Sequence, residues 1–349
     1  MRLRRLTQAD NIIINALAVA LIVLAGWFAF RSPAFLTLGN LKIVLVNSSI
    51  LAVVAAGLTL LIIAGKADLS IGSVIGFSSV MAALSANPWG WHPLASMLFA
   101  IACGAAVGAV NGLLCGVLGL NPIIVTLGMM TALRGLTQLI RQNPVNGLGG
   151  EYRMLGAGEI AGVPVLAVVA GAVFLLAAVV LYLTPWGRHT YAIGVSGQSA
   201  FLSALPVRRL SFLLYVAAGA ASGLAGVMLA ARLNGTDPGS AGVGMEFAAL
   251  TVVLLGGVAF DGGRGKIAGV LLAVLFLGVL DNGLILLNVD QHLKEVIQGL
   301  ALVLAAGLDV LGTRIAARVQ AARRVADRTA PPSGPLLASA EQVRLTREM

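Results

Sequence analysis

The sequence predicts an all-α protein, a polytopic membrane helix bundle of about ten transmembrane helices. Three observations point there. Of 349 residues, 58% are hydrophobic and only 11% charged, with a mean hydropathy of +0.96, whereas a soluble domain of this length carries more charge. Apolar runs near the length that crosses a bilayer, about 20 residues, recur along the chain. Backbone polar groups in lipid must pair within their own segment, so such runs are helices. The short alternating strands of a membrane barrel are missing from the pattern.

The spans fall at 12–30, 43–64, 71–86, 94–118, 122–140, 164–184, 211–231, 247–260, 267–287 and 295–311. The first follows Arg2, Arg4 and Arg5. It is long and has no small-x-small cleavage site before Arg31, so it reads as a retained anchor and not a signal peptide. The third and eighth are short for a full crossing, which implies little tilt or a broken helix. The fourth carries Cys103 and Cys115, roughly 18 Å apart on one helix, too far for a disulfide within the chain. It also carries Gly104, Gly108, Gly112 and Gly116, a small-residue stripe that lets another helix approach closely. Gly219 and Gly223 repeat the pattern in the seventh span.

Lysine and arginine set the orientation. In the ten-span reading both termini are cytoplasmic. Of the 23 basic residues, sixteen then lie on the inner side and six outside (Arg31, Lys42, Arg141, Arg153, Arg232 and Lys294), while Arg134 lies within a span. Residues 1–311 form the transmembrane domain. Residues 312–349 form a basic cytoplasmic tail, first suited to a membrane-surface helix, then largely disordered from Pro331 onward. The net charge of +9 therefore marks a cytoplasmic membrane face and not a nucleic-acid partner.

Motifs for chemistry are missing. There is no HExxH and no metal-spaced Cys/His cluster, so no metal and no cofactor is expected. "GVSG" at 194–197 matches a membrane serine protease pattern, but Ser196 lies in a polar loop, and no later span supplies a histidine. Neither "AGKAD" nor "GGRGKI" has phosphate-loop spacing. No residue is catalytic, and any ATP-driven motor is a separate chain.

A local echo links "LTLLIIAGKADLSIGSVIG" (58–76) with "LTVVLLGGVAFDGGRGKIAG" (250–269), and "NGLL" (111–114) with "NGLI" (282–285). Transporters are often built from such repeats.

Five segments in order carry a resemblance over about residues 40–311: "GLTLLIIAGKADLSIGS", "NGLLCGVLGLNPIIVTLGMM", "TPWGRHTYAIGVSGQSAFLSALPV", "GVGMEFAALTVVLLGGVAFDGGRGKIAG" and "GVLDNGLILLNVDQHLKEVIQGLALVLA". The chain resembles the membrane permease of bacterial ABC importers for simple sugars, of the ribose, xylose, galactose and autoinducer-2 type. The resemblance implies an inner-membrane transport subunit without its own ATPase. It implies three kinds of partner: ABC ATPase subunits, a periplasmic sugar-binding protein, and a second permease, identical or related.

The resemblance also implies that 188–210 holds the ATPase-coupling segment, here Gly197, Gln198, Ala200, Phe201, Ser203 and Ala204. Phe201, Ala204 and Leu205 replace the polar residues usual there. At 62–73, "IIAGKADLSIGS", Lys66 and Ala67 replace the family's Gly and Ile, while Asp68, Leu69, Ser70, Gly72 and Ser73 match. Asp68 or Ser70 is suited to capping the next helix and forming a hinge; the alternative is direct contact with substrate. Asn47, Asn111, Thr126, Glu246 and Asn282 complete the candidate transport path, since neutral sugars need donors and acceptors more than charges. Glu246 reads as the outer end of a span. The rival class is a self-sufficient secondary transporter or channel, which usually needs intramembrane carboxylates for ion coupling.

Overall fold

The first nine predicted spans correspond to helices in the computed structural model, which describes residues 2–297, 299–304 and 307. They are α1 (Arg2–Arg31), α2 (Leu38–Ile63), α3 (Ile71–Ala86), α4 (Pro93–Asn111), α5 (Pro122–Ile140), α6 (Gly150–Ala157), α7 (Val165–Leu183), α8 (Pro185–Val195), α9 (Gly197–Leu202), α10 (Val207–Leu233), α11 (Met245–Leu255) and α12 (Ile267–Leu286). A π-helical turn, Gly112–Val117, continues α4. Two short antiparallel pairs join loops: β1 (Val145–Asn146) with β4 (Gly235–Thr236), and β2 (Glu159–Ile160) with β3 (Val163–Pro164). Among the described residues, seven helices are long and apolar enough to cross a membrane, while α3 and α11 are shorter apolar helices. Part of the predicted tenth span, 295–311, and the whole predicted tail, 312–349, lie outside the described residues.

Local sequence explains where helices start. Thr37, Asn121 and Thr184 each accept a backbone amide of the turn that follows. Pro122 and Pro185 sit where a helix needs no N–H of its own. Several buried hydroxyls within helices turn back on their own backbone, as Thr59 does to Ala55 O (2.6 Å), Thr137 to Leu133 O (2.7 Å) and Ser222 to Ala218 O (2.9 Å). That satisfies them where water is absent.

α2 is apolar on all sides and is the central helix, as that pattern requires. It packs against α7, α10, α11 and α12. The predicted glycine stripes meet each other. A Cβ at Gly104 would lie 2.5 Å from Gly219 O and 2.7 Å from Gly223 Cα, and one at Gly112 would lie 2.9 Å from Phe212 O. α4 and α10 therefore touch backbone to backbone, a contact only small residues allow. Cys103 and Cys115 are free.

The helix connections gather at two ends of the bundle. At one end, Gly263 N donates to Ile63 O (2.8 Å), joining the α2–α3 and α11–α12 turns beside Gly194 of α8. At the other, Asn87 donates to Asn146 O (2.8 Å), and Lys42 pairs with Glu159 (2.6 Å). The half-exposed Trp89 and Trp91 cluster there with Phe99, with ring centroids 5.2–6.2 Å apart, as aromatic residues do at a membrane–water interface.

Two expectations need correction. The eighth span is not a helix over 247–260. α11 has 11 residues, about 16 Å of rise, half of the roughly 30 Å apolar core. Before it, 237–244 is non-helical and lies along α3, with Gly242 against Gly72 and Ala241 against Gly76. "DPGSAGVG" stops the helix, and Gly242 and Gly244 take positive φ. Within 188–210 the short helix that the resemblance implies is present as α9, while the stretch before it, read as polar loop beside Arg188 and His189, belongs to the helix α8.

Candidate functional site

Four predicted residues come together. The turn between α2 and α3 brings Asp68 and Ser70 against Asn111 near the end of α4 and Thr126 in the first turns of α5. Asp68 Oδ1 accepts from Ser70 N (2.8 Å) and Ser70 Oγ (2.6 Å). Asn111 Nδ2 donates to Asp68 Oδ2 (3.2 Å) and Ser70 Oγ (2.9 Å). Thr126 Oγ1 accepts from Leu69 N (3.1 Å), and Tyr215 OH donates to Ala67 O (3.1 Å). All four side chains are buried. Burial pushes the Asp68 carboxyl above the usual carboxylate range, while the bonds from Ser70 and Asn111 pull it partly back.

The capping expectation holds only in altered form. Ser70 is the N-cap of α3 but makes no side-chain cap bond among the described residues. Its backbone is already helical (φ −79, ψ −10), which turns its oxygen toward Asp68 and Asn111. Asp68 receives the cap residue's own amide and none of the amides inside the helix. The network thus braces the turn from three helices, α4, α5 and α10.

Glu246 lies elsewhere, and not at the outer end of a span. Because 237–244 folds in along α3, Glu246 in the first turn of α11 sits deep in the bundle, against Gly72. Arg134 Nη2 donates to Glu246 Oε1 (3.0 Å) and Arg134 Nε to Ser73 Oγ (3.1 Å). Glu246 is 3% exposed, and the Arg134 side chain 35%. Arg134 is twelve residues beyond Pro122, about 18 Å along a helix about 28 Å long. This ion pair was missed as a site. Its signal was present as a lone arginine inside an apolar span, which calls for a partner.

The remaining candidates are apart from these. Asn282 exchanges two hydrogen bonds with Asn40, both 2.9 Å, tying α12 to α2. Asn47 lines a cavity of about 230 Å³ with Lys42, Glu159 and Arg232. The coupling candidates lie on and after α9, where Ser196 caps through Ser199 N (3.2 Å). Phe201 (62% exposed) and Leu202 (78%) point outward, whereas Ala200 (4%) is turned into the core. Ala204 follows with φ 58.

Residues 40–306 match the family model described as "Branched-chain amino acid transport system / permease component". The chain is 37% identical over 294 residues to the ribose import permease protein RbsC of Bacillus subtilis, covering 83% of this chain and 91% of that one. It is 32% identical to the D-allose transport system permease protein AlsC of Escherichia coli, covering 83% and 90%. It is 33% identical to the L-arabinose ABC transporter permease protein AraH of Azospirillum brasilense, covering 84% and 87%. No solved structure matches. The chain is a multi-pass membrane protein and belongs to this family of transport-system permeases.

Proposed function

We infer that the chain is the membrane permease subunit of a bacterial inner-membrane ABC importer for a simple sugar such as ribose, allose or arabinose. The observation that carries this reading is the match along 83% of the chain to a ribose import permease, with matches of similar extent to allose and arabinose permeases. ATP hydrolysis belongs to partner ATPase subunits, a binding protein delivers the sugar, and a second permease completes the pore. In this reading the chain crosses the membrane ten times, with 237–255 as one broken crossing and both termini cytoplasmic. The α8–α9 end then faces the cytoplasm. α9 docks on the ATPase through Phe201 and Leu202, flanked by Gly197, Gln198, Ser203 and Ala204, with Ala200 anchoring the helix from within. Asp68, Ser70, Asn111 and Thr126 brace the hinge at the inner end of the path.

The depth of Glu246 is the observation that favours a secondary transporter. Its partner Arg134 weighs against that reading, because the carboxylate is already paired within the protein and leaves no lone intramembrane charge. Reconstitution decides the matter. With ATPase and binding protein present, uptake of labelled ribose, allose or arabinose requires ATP. Uptake by the lone chain driven by an ion gradient overturns the importer reading.

A further inference from the structure

The Arg134–Glu246 pair has a geometry that a purely structural brace does not need. Glu246 and Ser73 are both 3% exposed, yet the arginine they hold keeps 35% of its side chain open. Nε and Nη2 each make one bond among the described residues. A guanidinium carries five N–H donors in a planar fork, so the rest of the fork is available. Glu246 Oε2, an acceptor, finds no partner among the described residues.

The surroundings limit what this open side faces. An arginine about 18 Å into the membrane-crossing α5 is expensive against lipid tails. The helix face beside it carries Thr131, which is exposed, and Gly128 and Gly135, where an added Cβ would meet nothing within 4 Å. A part-exposed cation at this depth, level with small and hydroxylated residues and with the exposed apolar Leu127 and Leu139 on either side of them along the helix, fits a water-filled passage. The pair also carries no net charge. It therefore offers hydrogen-bond donors without a large unbalanced charge, which suits a neutral solute with neighbouring hydroxyls.

We propose that Arg134, oriented by Glu246 and Ser73, contacts the polyhydroxyl solute at mid-depth of the path, and that the α5 face bearing Gly128, Thr131 and Gly135 lines the passage there. This inference rests on the importer reading. Glu246 and Ser73 are positioning residues, and Gly72 leaves the room that Glu246 occupies.

The test uses the full complex of permease, ATPase and binding protein in proteoliposomes, with whichever of ribose, allose or arabinose the wild-type complex takes up. Arg134→Lys keeps the charge and the ion pair but loses the fork. Its maximal uptake is expected to fall about ten-fold or more, the loss of one or two directed bonds, while ATPase co-purification stays at the wild-type level. In a chain with Cys103→Ala and Cys115→Ala, Thr131→Cys is expected to react with a membrane-impermeant thiosulfonate, and the transported sugar is expected to slow that reaction. Wild-type uptake by Arg134→Lys, or no reaction at Thr131→Cys, overturns the inference. Uptake by the lone chain driven by an ion gradient sinks the importer reading instead, which keeps the two failures distinct.

Discussion

Gly104→Ala tests how closely the α4–α10 seam must fit. The added Cβ would lie 2.5 Å from Gly219 O, 2.7 Å from Gly223 Cα and 2.9 Å from Gly223 N. These are backbone atoms of α10, which also packs against α2 and α3, so they cannot swing aside. An ordinary carbon–oxygen contact is about 3.3 Å or more, so the helices must part locally by roughly 0.8 Å. A gap of that size forfeits about a quarter to a half of the dispersion attraction of each facing pair of atoms. Overpacking of this kind costs about 1–3 kcal/mol, offset by up to about 1 kcal/mol from the better helix propensity of alanine. The expected net loss is about 1–2 kcal/mol. Gly223→Ala, whose nearest neighbours are Ile101 Cα and O at 3.0 Å, loses less. Gly171→Ala, with nothing within 4 Å, is neutral or slightly stabilising. Thermal unfolding in detergent, followed by the monodisperse fraction remaining after heating, ranks the three. If Gly104→Ala survives heating as well as Gly171→Ala does, the seam is not the tight contact described.

Other perturbations separate the remaining parts. Asn282→Ala leaves the buried Asn40 Oδ1 without a donor and Nδ2 with only Phe35 O (2.9 Å), which should cost about 1–3 kcal/mol, whereas Asn40→Leu with Asn282→Leu should recover part of that loss; equal losses in the two thermal melts would contradict the pairing. Burial raises the Asp68 carboxyl, so its contribution to stability is complete below the unfolded pKa and is lost as pH rises through the higher native one. Asp68→Asn should flatten that limb of the stability–pH curve, and a curve superposing on wild type would refute the assignment. Phe201→Ala should weaken ATPase co-purification without lowering membrane insertion, and full retention of the ATPase would remove α9 as the docking helix. One-sided labelling of single cysteines, in a chain lacking Cys103 and Cys115, should place 188–210 and 141–163 on opposite faces; a common face would mean that α7 does not cross.

The sequence made the bundle legible because long apolar runs and glycine periodicity are local signals. Gly104 and Gly219 announce a close contact without revealing that they meet each other. Asp68, Ser70, Asn111 and Thr126 were each legible as polar residues in or beside apolar spans, which must find partners, but many other buried polar side chains were available and nothing local says that these four meet. The depth of Glu246 was not legible. It depends on 237–244 folding in along α3, and an 11-residue helix next to a glycine-rich turn looks in sequence like one imperfect span. The facing of Ala200 was hidden as well. "GQSAFLSAL" allows its small residue to point either way, and only packing against the core decides.

The internal echo gains a physical meaning from the fold. Residues 58–76 and 250–269 both form a helix, a tight turn and a second helix, as α2–α3 and α11–α12. Gly65 and Gly262 take positive φ in the two turns. A Cβ at Gly262 would lie 2.6 Å from Gly65 N and 3.1 Å from Gly194 Cα, so the two turns and α8 meet with no room for a side chain. α8 leads directly into α9. One turn continues to Asp68, and the other follows α11, whose first turn holds Glu246. In the importer reading, a push on α9 reaches both turns through backbone contacts that cannot yield by changing a rotamer. In that reading the glycines that let the turns close make α8 a stiff link between α9 and the clusters around Asp68 and Glu246, and a side chain added at Gly194, which would fall on Ile63 O and Gly263 N, should loosen that link before it disturbs either cluster.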